Sequence, residues 1–89
     1  MFSRKGQKES IIMITHAMLW RAIEKLAEQN GTTCSGLARM GGLDIKVFNK
    51  SKRYTSAGKQ RWMSTFTLVK VLDATNTTMH QFANLLDEE

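Results

Sequence analysis

Lys46, Asn49 and Lys50 lie close together and have the chemistry to read the edges of base pairs. Lysine ammonium groups donate to the O6 and N7 acceptors of guanine, and an asparagine carboxamide both donates to and accepts from adenine. Ile45 beside them supplies an apolar contact suited to a thymine methyl. Around this group the charge is one-sided. After Asp44 no acidic residue occurs until Asp73, while the interval holds Lys46, Lys50, Lys52, Arg53, Lys59, Arg61 and Lys70, seven of the thirteen basic residues. Such a stretch attracts polyanions, and Lys52, Arg53, Thr55, Ser56, Lys59 and Arg61 are candidates for holding phosphates.

These side chains must be positioned by the elements around them. Laid on a helix at about 100° per residue, residues 45–53 divide into two groups. Val47, Phe48 and Ser51 fall on one side and can seat a helix on a core, while Lys46, Asn49, Lys50 and Arg53 gather on the other. Asp44 is placed to cap this third helix, and Leu43 can pack on Phe48 as a hydrophobic staple. Ahead of it, Thr33 is a cap for a short second helix over Cys34–Met40 with Leu37 and Ala38 inward. The amides of Cys34 and Ser35 at its start are further phosphate candidates. The pair Gly41-Gly42 marks a sharp turn between the two helices.

The rest of the chain reads as support. Thr15 caps a first helix whose stripe is Leu19, Ile23 and Leu26, broadened by Trp20 and Ala27 and ending at Asn30-Gly31. His16 is expected on its surface. Ser64 opens a fourth helix with Leu68, Val69 and Leu72 as its apolar stripe and Asn76 as a left-handed terminator. Thr78 and Gln81 fit a capping box for a fifth helix burying Phe82, Leu85 and Leu86. Between Tyr54 and Met63 runs a polar, glycine-containing loop, with Trp62 expected to anchor it against the fourth helix. The expected architecture is one compact all-α domain of five helices over residues 15–87. A flexible basic arm over 1–14 precedes it, in which Met13 could also initiate translation, and an acidic frayed end follows at 88–89.

Totals narrow the function classes. A chain of 89 residues has room for one core, and its hydrophobic fraction of 42% is enough to fill it. The formal charge of +5 suits nucleic acid or an anionic membrane surface. The apolar run Ile11–Ile14 is too short for a signal core or a membrane span, and no helix joins a basic face to a broad exposed apolar one, so a membrane partner is not expected. His16, His80 and Cys34 show no close zinc spacing, and no metal or other cofactor is expected. The single cysteine cannot form an intramolecular disulfide, which fits the cytoplasm. Cys34 at a helix start could have an acidified thiol, but a lone cysteine supports no redox claim. No nucleophile, base and oxyanion donor stand in a catalytic pattern, so neither enzyme activity nor a small-molecule substrate is expected.

The segments "SGLARMGGLDIKVFNKSKR" and "RWMSTFTLVKVLDAT" resemble the lambda-repressor-like helix-turn-helix domains of phage-type transcriptional repressors. The closest group carries a self-cleaving LexA-like serine-peptidase domain downstream. The similarity covers about residues 15 to 87 and is strongest at Ser35 to Arg53. It implies a repressor of the bacterial cytoplasm and nucleoid whose helix after the turn lies in the major groove, so that Ile45, Lys46, Asn49 and Lys50 read the operator. Met63, Phe66 and Asn76 depart from the family's proline, acid and glycine. One short reading helix covers few base pairs, so a useful repressor needs two copies on a pseudo-palindrome, pairing weakly on DNA. The alternative use of the same fold is a protein-interaction module, antitoxin-like or docking on polymerase, which would show exposed aromatics or leucines in place of the basic face.

Overall fold

A computed structural model describes residues 14–86. Their order is α1 (His16–Gln29), α2 (Cys34–Met40), a 3₁₀ turn (Lys50–Lys52), α3 (Thr65–Ala74) and α4 (Met79–Leu86). The fold is all-α, with four α-helices among the described residues and no strand beyond one isolated bridge, Tyr54 to Gln60. The arm at residues 1–13 and the acidic end at 87–89 lie outside the described residues. Ile14, the last residue of the expected arm, is exposed.

Each helix begins and ends for a local chemical reason. The hydroxyls of Thr15, Thr33 and Ser64 accept from the amides of Met18, Gly36 and Thr67, three residues on. Thr78 and Gln81 cap each other reciprocally, at 3.0 and 2.8 Å. Helices α1, α2 and α3 all stop in the same double hydrogen-bond pattern. Thr32, Leu43 and Thr77 donate back to the carbonyls of Ala27, Ala38 and Leu72, and Gly31, Gly42 and Asn76 to those of Glu28, Arg39 and Asp73. That closure needs a left-handed residue. Gly42 supplies it at φ 71° between α2 and the basic segment, and Asn76 is the one non-glycine residue that does so, at φ 55°.

One core holds the elements together. Trp20, Ile23, Leu26, Leu37, Phe48, Val71, Phe82 and Leu85 are its large buried members, with α1 packed on α4 and α2, and α2 on α3. Leu19, Leu43, Val47, Met63, Leu68 and Leu86 pack partly buried around it.

Three expectations are overturned. The third helix does not form: residues 45–48 are a turn, Asn49 is extended at ψ 150°, and only Lys50–Lys52 winds again as a 3₁₀ turn. The Asp44 carboxylate does accept from the Lys46 amide at 2.8 Å, but Val47 and Asn49 donate three residues back, to Asp44 and Lys46. Lys46 and Lys50 repel at helical spacing, and Ile45, Val47 and Asn49 are weak helix formers. Tertiary demand adds a stronger reason. Phe48 and Arg53 lie five residues apart, about 140° on a helix, yet both meet Trp20. The Phe48 ring is 6.2 Å from the indole, edge to face, and the Arg53 guanidinium lies 5.0 Å over it. Breaking the segment at Asn49 allows both contacts.

The stripe of α3 is rotated from the expected Leu68, Val69 and Leu72. Val71 and Leu72 are buried and Leu68 partly so, while Val69 is exposed. Phe66 and Val69 form a second apolar face on the same helix, so hydrophobic periodicity alone does not select the phase. His16 is the third correction, because it is 5% exposed rather than on the surface.

Candidate nucleic-acid interface

The basic segment and the loop after it are tied to the start of α1. The loop is a small hairpin: Arg61 donates to the Arg53 carbonyl at 2.9 Å, Thr55 to that of Lys59 at 2.8 Å, and Gly58 to that of Thr55 at 2.9 Å. Gly58 makes the reversal possible at φ 83°, which a side chain would strain. Buried beneath the hairpin, His16 Nε2 is 2.8 Å from the Arg53 carbonyl and 3.0 Å from that of Arg61. The Trp20 indole N–H lies 3.0 Å from the same nitrogen and 3.3 Å from the Arg61 carbonyl, so it donates to Nε2 in one tautomer and to the carbonyl in the other. His16 thereby clasps both ends of the hairpin. Tyr54 and Trp62 close over its ring, at centroid distances of 4.9 and 5.6 Å. Trp62 therefore packs against α1 through His16 and also lines a groove with Ser64 and Thr67 at the start of α3, the helix against which the sequence places it, and half of it stays exposed.

Replacing His16 with Phe keeps an aromatic ring and removes Nε2. Both carbonyls keep one other partner, so the expected loss of stability is about 0.5–1.5 kcal/mol. Amide exchange at Arg61 should accelerate more than exchange along α4. Equal protection of Arg61 in both proteins would show that the clasp does not hold the hairpin.

The proposed base-reading residues are all displayed. Ile45, Lys46, Asn49 and Lys50 are exposed on the stretch from the Gly42 turn to the 3₁₀ turn, although not as one face of a helix. Among the phosphate candidates, Lys52, Thr55, Ser56, Lys59 and Arg61 are exposed. The Thr55 hydroxyl is partly engaged, accepting from the Lys59 amide at 3.1 Å. Ser35 is exposed at the start of α2, and Cys34 is half-buried. Burial pushes the Cys34 thiol up, with Glu24 and Glu28 adding to the rise and Arg53 opposing it, so the acidification considered from its place at a helix start is outweighed.

Arg53 has a different role from the one its neighbours suggest. Its Nη2 donates to Glu24 at 3.0 Å, its side chain is mostly buried, and its Nε is buried without a hydrogen-bond partner. The guanidinium is thus committed to α1. Burial alone would raise the Glu24 carboxyl, but hydrogen bonds from Arg53 and Arg21 and their charges outweigh it and hold the carboxyl below its ordinary value. The sequence could have flagged Glu24 only as the acid on α1 near its middle; nothing in the spacing pairs it with a residue 29 positions away.

Lys46, Lys52 and Arg61 converge with Trp62, Ser64 and Thr67 on one open groove of about 390 Å³ beside Asp44. Ser64 and Thr67, at the first turn of α3, were not singled out by sequence. Among the described residues no group of three or more histidine, cysteine or acidic side chains could hold a metal ion, and no helix is long and apolar enough to cross a membrane. Compared with protein families, characterised proteins and solved structures, the chain has no significant match.

Proposed function

We propose that this domain binds double-stranded DNA sequence-specifically and acts as a repressor of transcription by occupying an operator. The observation that carries the reading is the acid-free interval between Asp44 and Asp73, whose cations Lys46, Lys50, Lys52, Lys59 and Arg61 are exposed. A polyphosphate backbone rewards such a surface by releasing counterions. Ile45, Lys46, Asn49 and Lys50 read bases in the major groove, taking the place that the second helix has in a helix-turn-helix. Lys52, Thr55, Ser56, Lys59 and Arg61, with the first amides of α2, hold the backbone. Arg53 supports them indirectly by tying the segment to Glu24. Two copies on a pseudo-palindrome, with half-sites about 34 Å apart, cover a site of useful length and pair only weakly in free solution.

Selection of bound sites from random duplex DNA, followed by two substitutions, tests this reading. Asn49→Ala should cost about 1–3 kcal/mol on the selected site and relax preference at one base pair. Lys59→Ala should weaken selected and random duplexes alike. Equal losses on both duplexes for Asn49→Ala would sink the base-reading role.

A second reading, docking on a protein partner, draws on a different surface. Phe66 is 67% exposed on α3, with Val69 beside it and the Lys70 ammonium 5.8 Å over the Phe66 ring. An exposed aromatic of this kind suits a protein interface. Failure of the random-duplex selection to enrich any sequence would favour it.

A further inference from the structure

The groove beside Asp44 combines charge, hydroxyls and an aromatic face from three separate parts of the chain. We propose that it holds one phosphodiester of the DNA backbone, with the adjoining deoxyribose packed on the exposed part of the Trp62 indole; the inference rests on the DNA-binding reading above. Lys52 comes from the 3₁₀ turn, Arg61 from the end of the hairpin, and Lys46 from the turn after Asp44. All three side chains are exposed and none has a salt bridge among the described residues. An arginine fork and a lysine ammonium reaching one phosphate from two sides give charge-assisted hydrogen bonds.

Asp44 is the acid in the lining, and its charge opposes an anion. It lines the groove, with one oxygen occupied by the Lys46 amide at 2.8 Å. Against it stand three cations and the residues Ser64 and Thr67, which line the groove at the start of the ten-residue α3; the Ser64 hydroxyl donates to Thr67 Oγ1 and accepts from the Thr67 amide, both at 3.1 Å, which leaves the Thr67 hydroxyl as the donor for a ligand. Trp62 decides the class of ligand. An inorganic anion would leave a half-exposed indole uncovered, whereas a phosphate carrying a sugar covers it.

The walls are preformed. His16 and Trp20 hold the Arg61 carbonyl, Arg61 pairs with Arg53 through its amide, and Trp62 rests edge-on against His16 at an interplanar angle of 81°. Only the ends of Lys46, Lys52 and Arg61 must order on binding, which keeps the entropic cost low. Lys46 lines the groove and adds its charge there while keeping its base-reading role; Lys52 and Arg61 hold the phosphate.

Two arms test the proposal. In the first, a thymidine dinucleotide with a single phosphodiester is titrated while the two indole N–H resonances are followed by NMR. The Trp62 signal should move more than that of Trp20, which lines the groove but is 3% exposed; inorganic phosphate should move Trp62 much less, and Arg61→Gln or Lys52→Gln should abolish the response. In the second, single phosphates of the selected duplex are replaced by neutral methylphosphonates. The wild-type protein should lose affinity about tenfold at one position per half-site, and Arg61→Gln should lose less than about twofold further there. An unmoved Trp62, together with full methylphosphonate sensitivity in Arg61→Gln, overturns the groove assignment and leaves the DNA reading standing. An Arg61-dependent shift of Trp62 in a protein that binds no duplex supports a phosphodiester site and removes duplex DNA as its ligand.

Discussion

Phe48→Ala should destabilise the domain by about 3–5 kcal/mol, most of the margin available to a chain this small. The phenyl ring is 1% exposed, stands edge to face with Trp20, and occupies the centre of the contact between the basic segment and the core. Removing it leaves a cavity lined by Trp20 and its neighbours. The segment has no regular helix to redistribute the loss, since its backbone bonds close three residues apart. Phe48→Leu, which keeps most of the volume, should cost less. Urea or thermal unfolding followed by circular dichroism measures both. At about 4–8 °C per kcal/mol for a domain of this size, the alanine variant should melt tens of degrees lower or lack a cooperative transition. An unchanged melting temperature would mean that Phe48 is not a core residue.

DNA affinity should collapse with salt. Lys52 and Arg61 share one phosphate and Lys59 holds a second, so a bound pair neutralises about four phosphates, and log K should fall against log salt with a slope of about −3.6. Raising monovalent salt from about 50 to about 200 mM should then weaken binding on the order of a hundredfold. Arg53 is left out of that number because its guanidinium is already neutralised by Glu24 at 3.0 Å. Arg53→Gln should therefore change stability more than it changes the salt slope, whereas Lys59→Ala should flatten the slope without lowering the melting temperature. Titrations of a two-half-site duplex at several salt concentrations, with sedimentation of the free chain, supply the measurement. A flat response would contradict the DNA reading and favour the protein-docking alternative.

Local chemistry was legible wherever a structural decision depends on neighbouring residues. Thr15, Thr33 and Ser64 start helices because a hydroxyl three residues ahead of an amide can cap it, whatever the rest of the fold does. Gly42 and Asn76 end helices because few residues tolerate positive φ. The Thr78–Gln81 box follows from spacing alone. Phe48 as a core residue, and the exposure of Lys46, Asn49, Lys50, Lys52, Lys59 and Arg61, follow from the cost of burying charge and the gain from burying a phenyl ring.

What only the tertiary structure decided depends on partners distant in the chain. Periodicity placed Arg53 with the free lysines, but Glu24 on α1 and the face of Trp20 offer it a better environment than water, and satisfying both it and Phe48 breaks the helix that the local pattern suggested. Val69 looked inward on a helix with two apolar faces, and the choice fell to whichever face met α2. His16 read as a surface residue because, apart from the Trp20 indole N–H four residues on, nothing that bonds it is nearby in sequence. Its partners, the carbonyls of Arg53 and Arg61, lie 37 and 45 residues away and come together only when the hairpin folds over the start of α1. Sequence can state what a side chain is able to bond; which distant group answers it is settled by packing.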